Sequence, residues 1–232
     1  MIEPVSKIWI QEGEALNVQT KQMLAFGGKS ISVETGGGKN ASLWDVLTRS
    51  LAKENFLLNT FSAQGGTGWV ALEETVPGQI ACYELAPGES ILLGGGAWVA
   101  SDQNVHLSTE FMGTKGFWSG LGSFAFKATN TASKTQRVFF TAQQGAVKEI
   151  QVTPEEGPVR IDHAHMIGYT KTLSPRVETI GNLKSFFLSG EGFINTFEGS
   201  GSVFVATAPL TATPSTPPSK VKAGMMLHGE GL

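Results

Sequence analysis

The alternation of apolar and polar positions predicts a chain built mainly of β-strands. Alternate residues of Ala81-Cys-Tyr-Glu-Leu85 place apolar side chains on one face, and the turn Pro87-Gly88 follows, as in a half-buried strand. Val138-Phe-Phe140 and Val203-Phe-Val205 are continuous apolar runs, which are typical of strands covered on both faces. These patterns favour an all-β domain.

One segment has the periodicity of a helix. Ser42 can cap it, with Asp45 three residues later, and apolar residues recur at helical spacing at Leu43, Val46, Leu47 and Leu51. The pattern predicts a single short helix over about residues 43–53.

Two segments of the chain have nearly the same sequence. Leu58-Asn-Thr-Phe61 is followed by Gly65, and Ile194-Asn-Thr-Phe197, 136 positions further on, is followed by Gly201. Half of that separation is 68 positions, which leads from Asn59 to Lys127, within a strand-like stretch. A second series agrees, because segments in which a turn precedes a strand, at 27–31, 87–91 and 154–159, are spaced 60 and 67 residues apart. The spacing predicts three repeats of about 60–70 residues, each a short β-sandwich packed beside the next. The alternative is a chance similarity among glycine-rich turns.

The chain changes character after Ala208. Four prolines lie between residues 209 and 218, where no apolar periodicity remains, and proline cannot donate to a strand ladder. We predict one domain over residues 1–208 and a proline-rich tail over 209–232. Met225-Met-Leu227 in this tail either docks on a neighbour or belongs to a free end.

Composition narrows the class of protein further. Only 16% of the 232 residues are charged, and 29 are glycine, which suits short strands joined by tight turns. A net charge of −3 and a pI near 5.8 argue against binding nucleic acid by general electrostatics. The single cysteine, Cys82, cannot form an intrachain disulfide, and the chain has neither a signal-peptide pattern nor an apolar run long enough to span a membrane. A reducing cytoplasm is therefore expected.

His163-Ala-His165 is the strongest candidate for a metal site. On a regular strand the two imidazoles would project from one face and could share an ion, and the pair resembles the start of a cupin metal motif. Tyr169 and Thr170 stand where that motif requires a glutamate. We therefore expect paired histidines on an exposed strand face, with His106 and His228 elsewhere, and assign no metal, catalytic or cofactor residue.

Other chemical motifs are incomplete. Gly28-Lys29-Ser30 lacks the earlier glycine of a phosphate-binding loop. Glu73-Glu74 and Glu155-Glu156 are neighbours that would face opposite ways on a strand. They predict solvated turns rather than an acid/base pair.

A resemblance to a known family rests on Phe56-Leu-Leu-Asn-Thr-Phe-Ser-Ala63, Val76-Pro-Gly-Gln-Ile80, Leu85-Ala-Pro-Gly-Glu89 and the segment 189–205. From about residue 15 to 208 the chain resembles the mitochondrial-biogenesis family, named from yeast mutants with altered mitochondrial inheritance. The resemblance implies a fold like that of the tryptophan RNA-binding attenuation protein, with three β units per chain. It also implies cytosolic bacterial members of uncharacterised function that form trimers, and it supplies no catalytic or ligand residues. Gly199-Ser-Gly201 departs from the family's usual Gly-Pro-Gly turn, and the tail is not part of the pattern.

The sequence thus predicts an all-β fold of three repeated β-sandwich units, double-stranded β-helix-like and pseudo-threefold, with one short helix. We expect a non-enzymatic oligomeric scaffold or binding protein, a trimer. The alternatives are a cupin-like metal-dependent enzyme using His163 and His165, and a small-molecule or RNA-binding regulator. Aromatic residues from Phe111 to Phe126, including Phe117 and Trp118, either make contacts between subunits or fill the core.

Overall fold

The structure is a computed structural model that describes residues 7–20, 22–36, 58–73, 78–113, 120–122, 124–142, 144–179 and 193–209. These residues form eighteen β-strands and one short 3-10 turn, so the all-β prediction is confirmed. No helix within them is long and apolar enough to cross a membrane. The predicted helix at 43–53 and the tail from residue 210 lie outside the described residues.

The strands, numbered in chain order, fall into three consecutive groups of six. The first group contains β1 (Lys7–Ile10), β2 (Ala15–Gln19), β3 (Met23–Gly28), β4 (Ile31–Thr35), β5 (Leu58–Ala63) and β6 (Gly68–Leu72). The second group contains β7 (Ile80–Leu85), β8 (Ser90–Leu93), β9 (Trp98–Asp102), β10 (Val105–Phe111), β11 (Phe124–Asn130) and β12 (Gln136–Thr141). The third group contains β13 (Val147–Val152), β14 (Val159–Asp162), β15 (Met166–Thr170), β16 (Arg176–Thr179), β17 (Phe193–Phe197) and β18 (Gly201–Ala206).

All three groups have the same antiparallel pairing scheme. The sixth strand of a group lies between its first and third strands, and the fifth lies between its second and fourth. The groups are joined in series, because β2 pairs with β9 and β8 pairs with β15. These joins create the six-stranded sheets β4-β5-β2-β9-β12-β7 and β10-β11-β8-β15-β18-β13, and they leave β1-β6-β3 and β14-β17-β16 as three-stranded sheets.

The repeated Asn-Thr-Phe segments lie on the fifth strands of the first and third groups, in β5 and β17, and Lys127 lies on the fifth strand of the second group. The turn at 27–31, in contrast, leads to a fourth strand, whereas those at 87–88 and 154–158 lead to second strands. In the first group the counterpart of the turns at 87–88 and 154–158 is the turn at Gly13, which also leads to a second strand; Gly13, Gly88 and Gly157 share φ values of 80°, 78° and 78°. That three units superpose about a pseudo-threefold axis stays a prediction.

The core is continuous from one group to the next. Leu16 of β2 and Phe139 of β12 belong to one cluster of buried side chains, and Leu93 of β8 and Phe204 of β18 belong to another. The sixth strand of a group therefore packs against the preceding group as well as within its own. This explains why the run Val138-Phe-Phe140 is apolar at every position, as a strand covered on both faces requires.

Candidate interaction surface

The third strand of the first group is exposed where its counterparts are buried. None of the six residues of β3 is buried, whereas four of the five in β9 and all five in β15 are. Strands β9 and β15 lie between two neighbours, but within the described residues β3 pairs only with β6. The first three-stranded sheet therefore ends at β3.

The pairing register allows the three strands to be compared residue by residue. Each has one irregularity in its pairing, at Leu24, Val99 and Ile167. Leu24 is 68% exposed, whereas Val99 and Ile167 are 0% and 1% exposed. Phe26, two positions later, is 45% exposed, and its counterparts in β9 and β15 are at most 3% exposed. We call residues 24–27 the β3 edge.

Two tryptophans lie beside the β3 edge. Trp9 of β1 and Trp69 of β6 are directly opposite in the antiparallel register, and Lys7 Nζ lies 4.5 and 4.2 Å from the centroids of their rings. A Cβ atom at Gly27 would lie 2.8 Å from the ring of Trp69, so glycine is what allows this ring to lie over β3. Trp9 is half exposed, and the aromatic surface continues the apolar edge.

Among the second and third strands of the three groups, β14 is the other one that has a single neighbour within the described residues. Among the described strands it pairs only with β17. Val159 occupies the place of Leu16, because each is opposite the phenylalanine of an Asn-Thr-Phe segment. Leu16 is fully buried, whereas Val159 is partly exposed and Arg160 is exposed.

The join between the first two groups contains an ion pair. Asp102 Oδ1 accepts a hydrogen bond from Arg137 Nη2 at 2.8 Å, and Oδ2 accepts one from the backbone N–H of Arg137 at 2.7 Å. Burial opposes the charge of the guanidinium, but the hydrogen bonds and the charge of Asp102 raise the Arg137 pKa. Arg137 Nη1 also donates to the carbonyl oxygen of Trp9 at 3.2 Å. A cleft of about 360 Å³ opens beside the pair, between Glu14 and Glu84.

The join between the second and third groups has no charged pair at this place in the described residues. The Oγ1 of Thr170 accepts the backbone N–H of Ser202 at 3.0 Å, as Asp102 does for Arg137. Nearby, the rings of Tyr83 and Phe204 lie 4.9 Å apart, and the Tyr83 hydroxyl donates to Glu89 at 2.8 Å. The two joins thus share one backbone arrangement and differ in side-chain chemistry.

The histidine pair does not lie on a strand. His163–His165 form a 3-10 turn that Asp162 caps, its Oδ1 accepting the Ala164 N–H. Residues two apart in such a turn point in different directions, and each imidazole uses its Nδ1, 3.2 Å from Phe193 O for His163 and 2.8 Å from Ala206 O for His165. The prediction of a shared strand face was therefore wrong, and the described residues contain no group of three metal-ligating side chains.

Other predicted residues are distributed over the molecule. Glu155 and Glu156 lie in an exposed turn, as predicted, and His106 lies on β10, half-buried. Burial raises the pKa of the Cys82 thiol to about 12. His228, Glu74, Phe117 and Trp118 lie outside the described residues.

The aromatic segment 111–126 divides between surface and core. Phe111 and Phe124 are 70% and 59% exposed, and their ring centroids lie 5.1 Å apart. Phe126 is buried in the core. The sequence did not single out the β3 edge, although the apolar Met-Leu-Ala-Phe of β3 was a signal. This segment has the apolar character of β9 and β15, but within the described residues no second strand pairs with it.

Comparisons with known proteins agree with the resemblance. The model of the family described as mitochondrial biogenesis AIM24 matches residues 3–208. An uncharacterized protein of Streptococcus pyogenes serotype M6 is 25% identical over 212 residues, which cover 89% of this chain and 82% of the relative. A crystal structure of a Streptococcus pyogenes protein is similar with a TM-score of 0.64 and 22% identity, covering 90% of this chain and 93% of that one. This last likeness is one of fold.

Proposed function

We propose that this chain, which belongs to the mitochondrial biogenesis AIM24 family, is a cytoplasmic, non-enzymatic scaffold that works as a homotrimer. The observation that carries the proposal is the exposure of the β3 edge. Leu24 is 68% exposed at a place where Val99 and Ile167 are buried. An apolar edge strand with free backbone groups invites pairing with another chain.

The positions of β3 and β14 in the series favour a closed assembly. Each internal join pairs a second strand with a third strand, and β14 and β3 are the second and third strands that form no join within the described residues. A head-to-tail contact between copies either closes into a ring or grows into a filament. The trimers implied by the family resemblance favour the ring.

Two side chains that could act as nucleophiles are not activated. Burial raises the pKa values of Cys82 and Tyr169 to about 12, whereas the pKa of a catalytic nucleophile or base is usually shifted towards the working pH. We therefore assign neither residue a catalytic role.

Light scattering coupled to gel filtration tests the proposal. Three chains of 24.6 kDa give a mass of about 74 kDa. Leu24→Lys should lower the assembly to single chains at micromolar concentration, because burying an apolar side chain of this size contributes about 1.5–3 kcal/mol and a lysine adds a charge to the interface. Circular dichroism checks that the variant remains folded.

Phe124→Lys is the matched control, since Phe124 is 59% exposed, comparable to Leu24, but lies on β11 in a different sheet. It should leave the trimer intact. If Phe124→Lys dissociates the trimer and Leu24→Lys does not, contacts lie at the aromatic segment 111–126 instead. An unsubstituted protein with the mass of one chain would refute self-association altogether.

A further inference from the structure

We infer that the β3 edge is covered by β14 of a second copy of this chain, paired antiparallel with Arg160 opposite Phe26. The inference rests on the proposed self-association and specifies the strands and register that produce it. It follows from the two joins already present within the chain, since each pairs a second strand with the third strand of the next group. Strands β14 and β3 are the second and third strands that remain.

The register follows from the first internal join. Arg160 and Asn17 are each opposite the threonine of an Asn-Thr-Phe segment, so Arg160 occupies the place of Asn17. Phe26 and Ser101 each follow the irregularity of their strand by two positions, so Phe26 occupies the place of Ser101. Asn17 pairs with Ser101, and the same pairing places Arg160 opposite Phe26.

The side chains at this register fit one another. In the internal joins a bulky apolar residue of the second strand lies opposite a small residue of the third, in the pairs Val18↔Ala100 and Leu93↔Gly168. The corresponding pair between copies is Ile161↔Ala25, again bulky opposite small. Arg160 meets the exposed ring of Phe26, which can take a guanidinium on its face.

The turns beside the strands are also complementary. In both internal joins the residue after the third strand donates its backbone N–H to the carbonyl oxygen of the first residue of the second strand. Gln103 donates to Ala15 at 3.0 Å, and Lys171 donates to Ser90 at 2.8 Å. The corresponding contact between copies places the turn at 28–30, with exposed Lys29, beside the turn at 154–158, with exposed Glu155 and Glu156. Opposite charges meet there, and they favour this orientation of the second copy.

A disulfide between copies tests the register. Because Gln103 N–H donates to Ala15 O and hydrogen-bonded and non-hydrogen-bonded pairs alternate, the Val18↔Ala100 pair is of the non-hydrogen-bonded kind. In such pairs the Cα atoms lie about 4.5 Å apart, within the range of a disulfide. The corresponding residues are Ile161 and Ala25, so chains carrying Ile161→Cys are co-expressed with chains carrying Ala25→Cys and oxidised.

The expected product is a covalent dimer that forms only when both variants are present. As the matched control, Arg160→Cys replaces Ile161→Cys, since the neighbouring residue of a strand points to the opposite face; about tenfold less linked dimer is expected from it. The amount of linked dimer formed when the unsubstituted protein is oxidised measures what Cys82, its only cysteine, contributes.

Four other outcomes would overturn the inference. If Ala25→Cys chains link to one another without the second variant, two β3 edges pair about a twofold axis. If a chain that carries both Ile161→Cys and Ala25→Cys links only within itself, the two strands meet intramolecularly. If a mass of three chains is measured but no link forms, the assembly uses another surface and the proposed function survives; a mass of one chain removes both proposals.

Discussion

Replacement of Asp102 by alanine should destabilise the protein by about 2–3 kcal/mol. The carboxylate accepts four hydrogen bonds from one residue: the backbone N–H of Arg137 at 2.7 Å, Nη2 at 2.8 Å, and Nε at 3.1 and 3.2 Å. Truncation leaves a partly buried guanidinium without its counter-charge. Breaking a fully buried pair in this way costs about 3–5 kcal/mol, and we reduce that range because the two side chains are 29% and 16% exposed.

The second internal join supplies the control for this experiment. There Thr170 and Ser202 occupy the places of Asp102 and Arg137, and the Thr170 hydroxyl still accepts the backbone N–H. A double variant Asp102→Thr with Arg137→Ser transfers this neutral arrangement to the first join. It removes the ion pair without leaving an unpaired charge, so it should recover about half of the loss.

The assay is urea unfolding followed by circular dichroism, with free energies compared at a common slope. The reasoning would be refuted if Asp102→Ala cost less than about 1 kcal/mol, since surface ion pairs have that value. It would also fail if the double variant were as unstable as Asp102→Ala, because the loss would then come from packing rather than from the unpaired guanidinium.

Three further predictions concern buried and partly buried groups. Cys82 is partly buried and its pKa is raised to about 12, so it should react with a thiol reagent at pH 8 much more slowly in the folded protein than after unfolding in urea; equally rapid reaction of the folded protein would contradict the raised pKa. Gly168→Ala should lower the unfolding midpoint, because its Cβ would lie 2.2 Å from Leu92 O, whereas Gly95→Ala meets nothing closer than 3.9 Å and should be tolerated. Burial raises the pKa of Tyr169 from 10.0 to about 12. The buried neutral phenol therefore contributes stability that is complete below pH 10 and is lost as pH rises towards 12. Phenolate absorbance should therefore lag behind that of free tyrosine, and a midpoint near pH 10 in the folded protein would refute this.

The strand content was predictable because it depends on local patterns. Alternation at 81–85 and the apolar runs at 138–140 and 203–205 reflect one-sided and two-sided burial, and the structure places these segments on β7, β12 and β18. The repeated Asn-Thr-Phe segments lie on β5 and β17, the fifth strands of their groups. Each of these signals is contained within a few consecutive residues.

The histidine turn and the β3 edge were not predictable in the same way. His163-Ala-His165 has the spacing of a strand, but Asp162 caps a 3-10 turn through the Ala164 N–H, and a three-residue turn leaves no periodic signal. The sequence of β3 is that of a buried strand. Its exposure depends on long-range pairing, since within the described residues no second strand lies beside it.

The difference between the joins also explains why the chain does not pair its own strands incorrectly. If β14 replaced β2 beside β9, Arg160 would occupy the place of Asn17, which is 3% exposed and accepts a hydrogen bond from Thr60. A guanidinium would then be buried next to Ser101, at a cost of several kcal/mol. Opposite Phe26 the same arginine meets an aromatic ring and solvent. The backbone scheme is therefore common to all joins, and one charged side chain restricts β14 to the β3 edge.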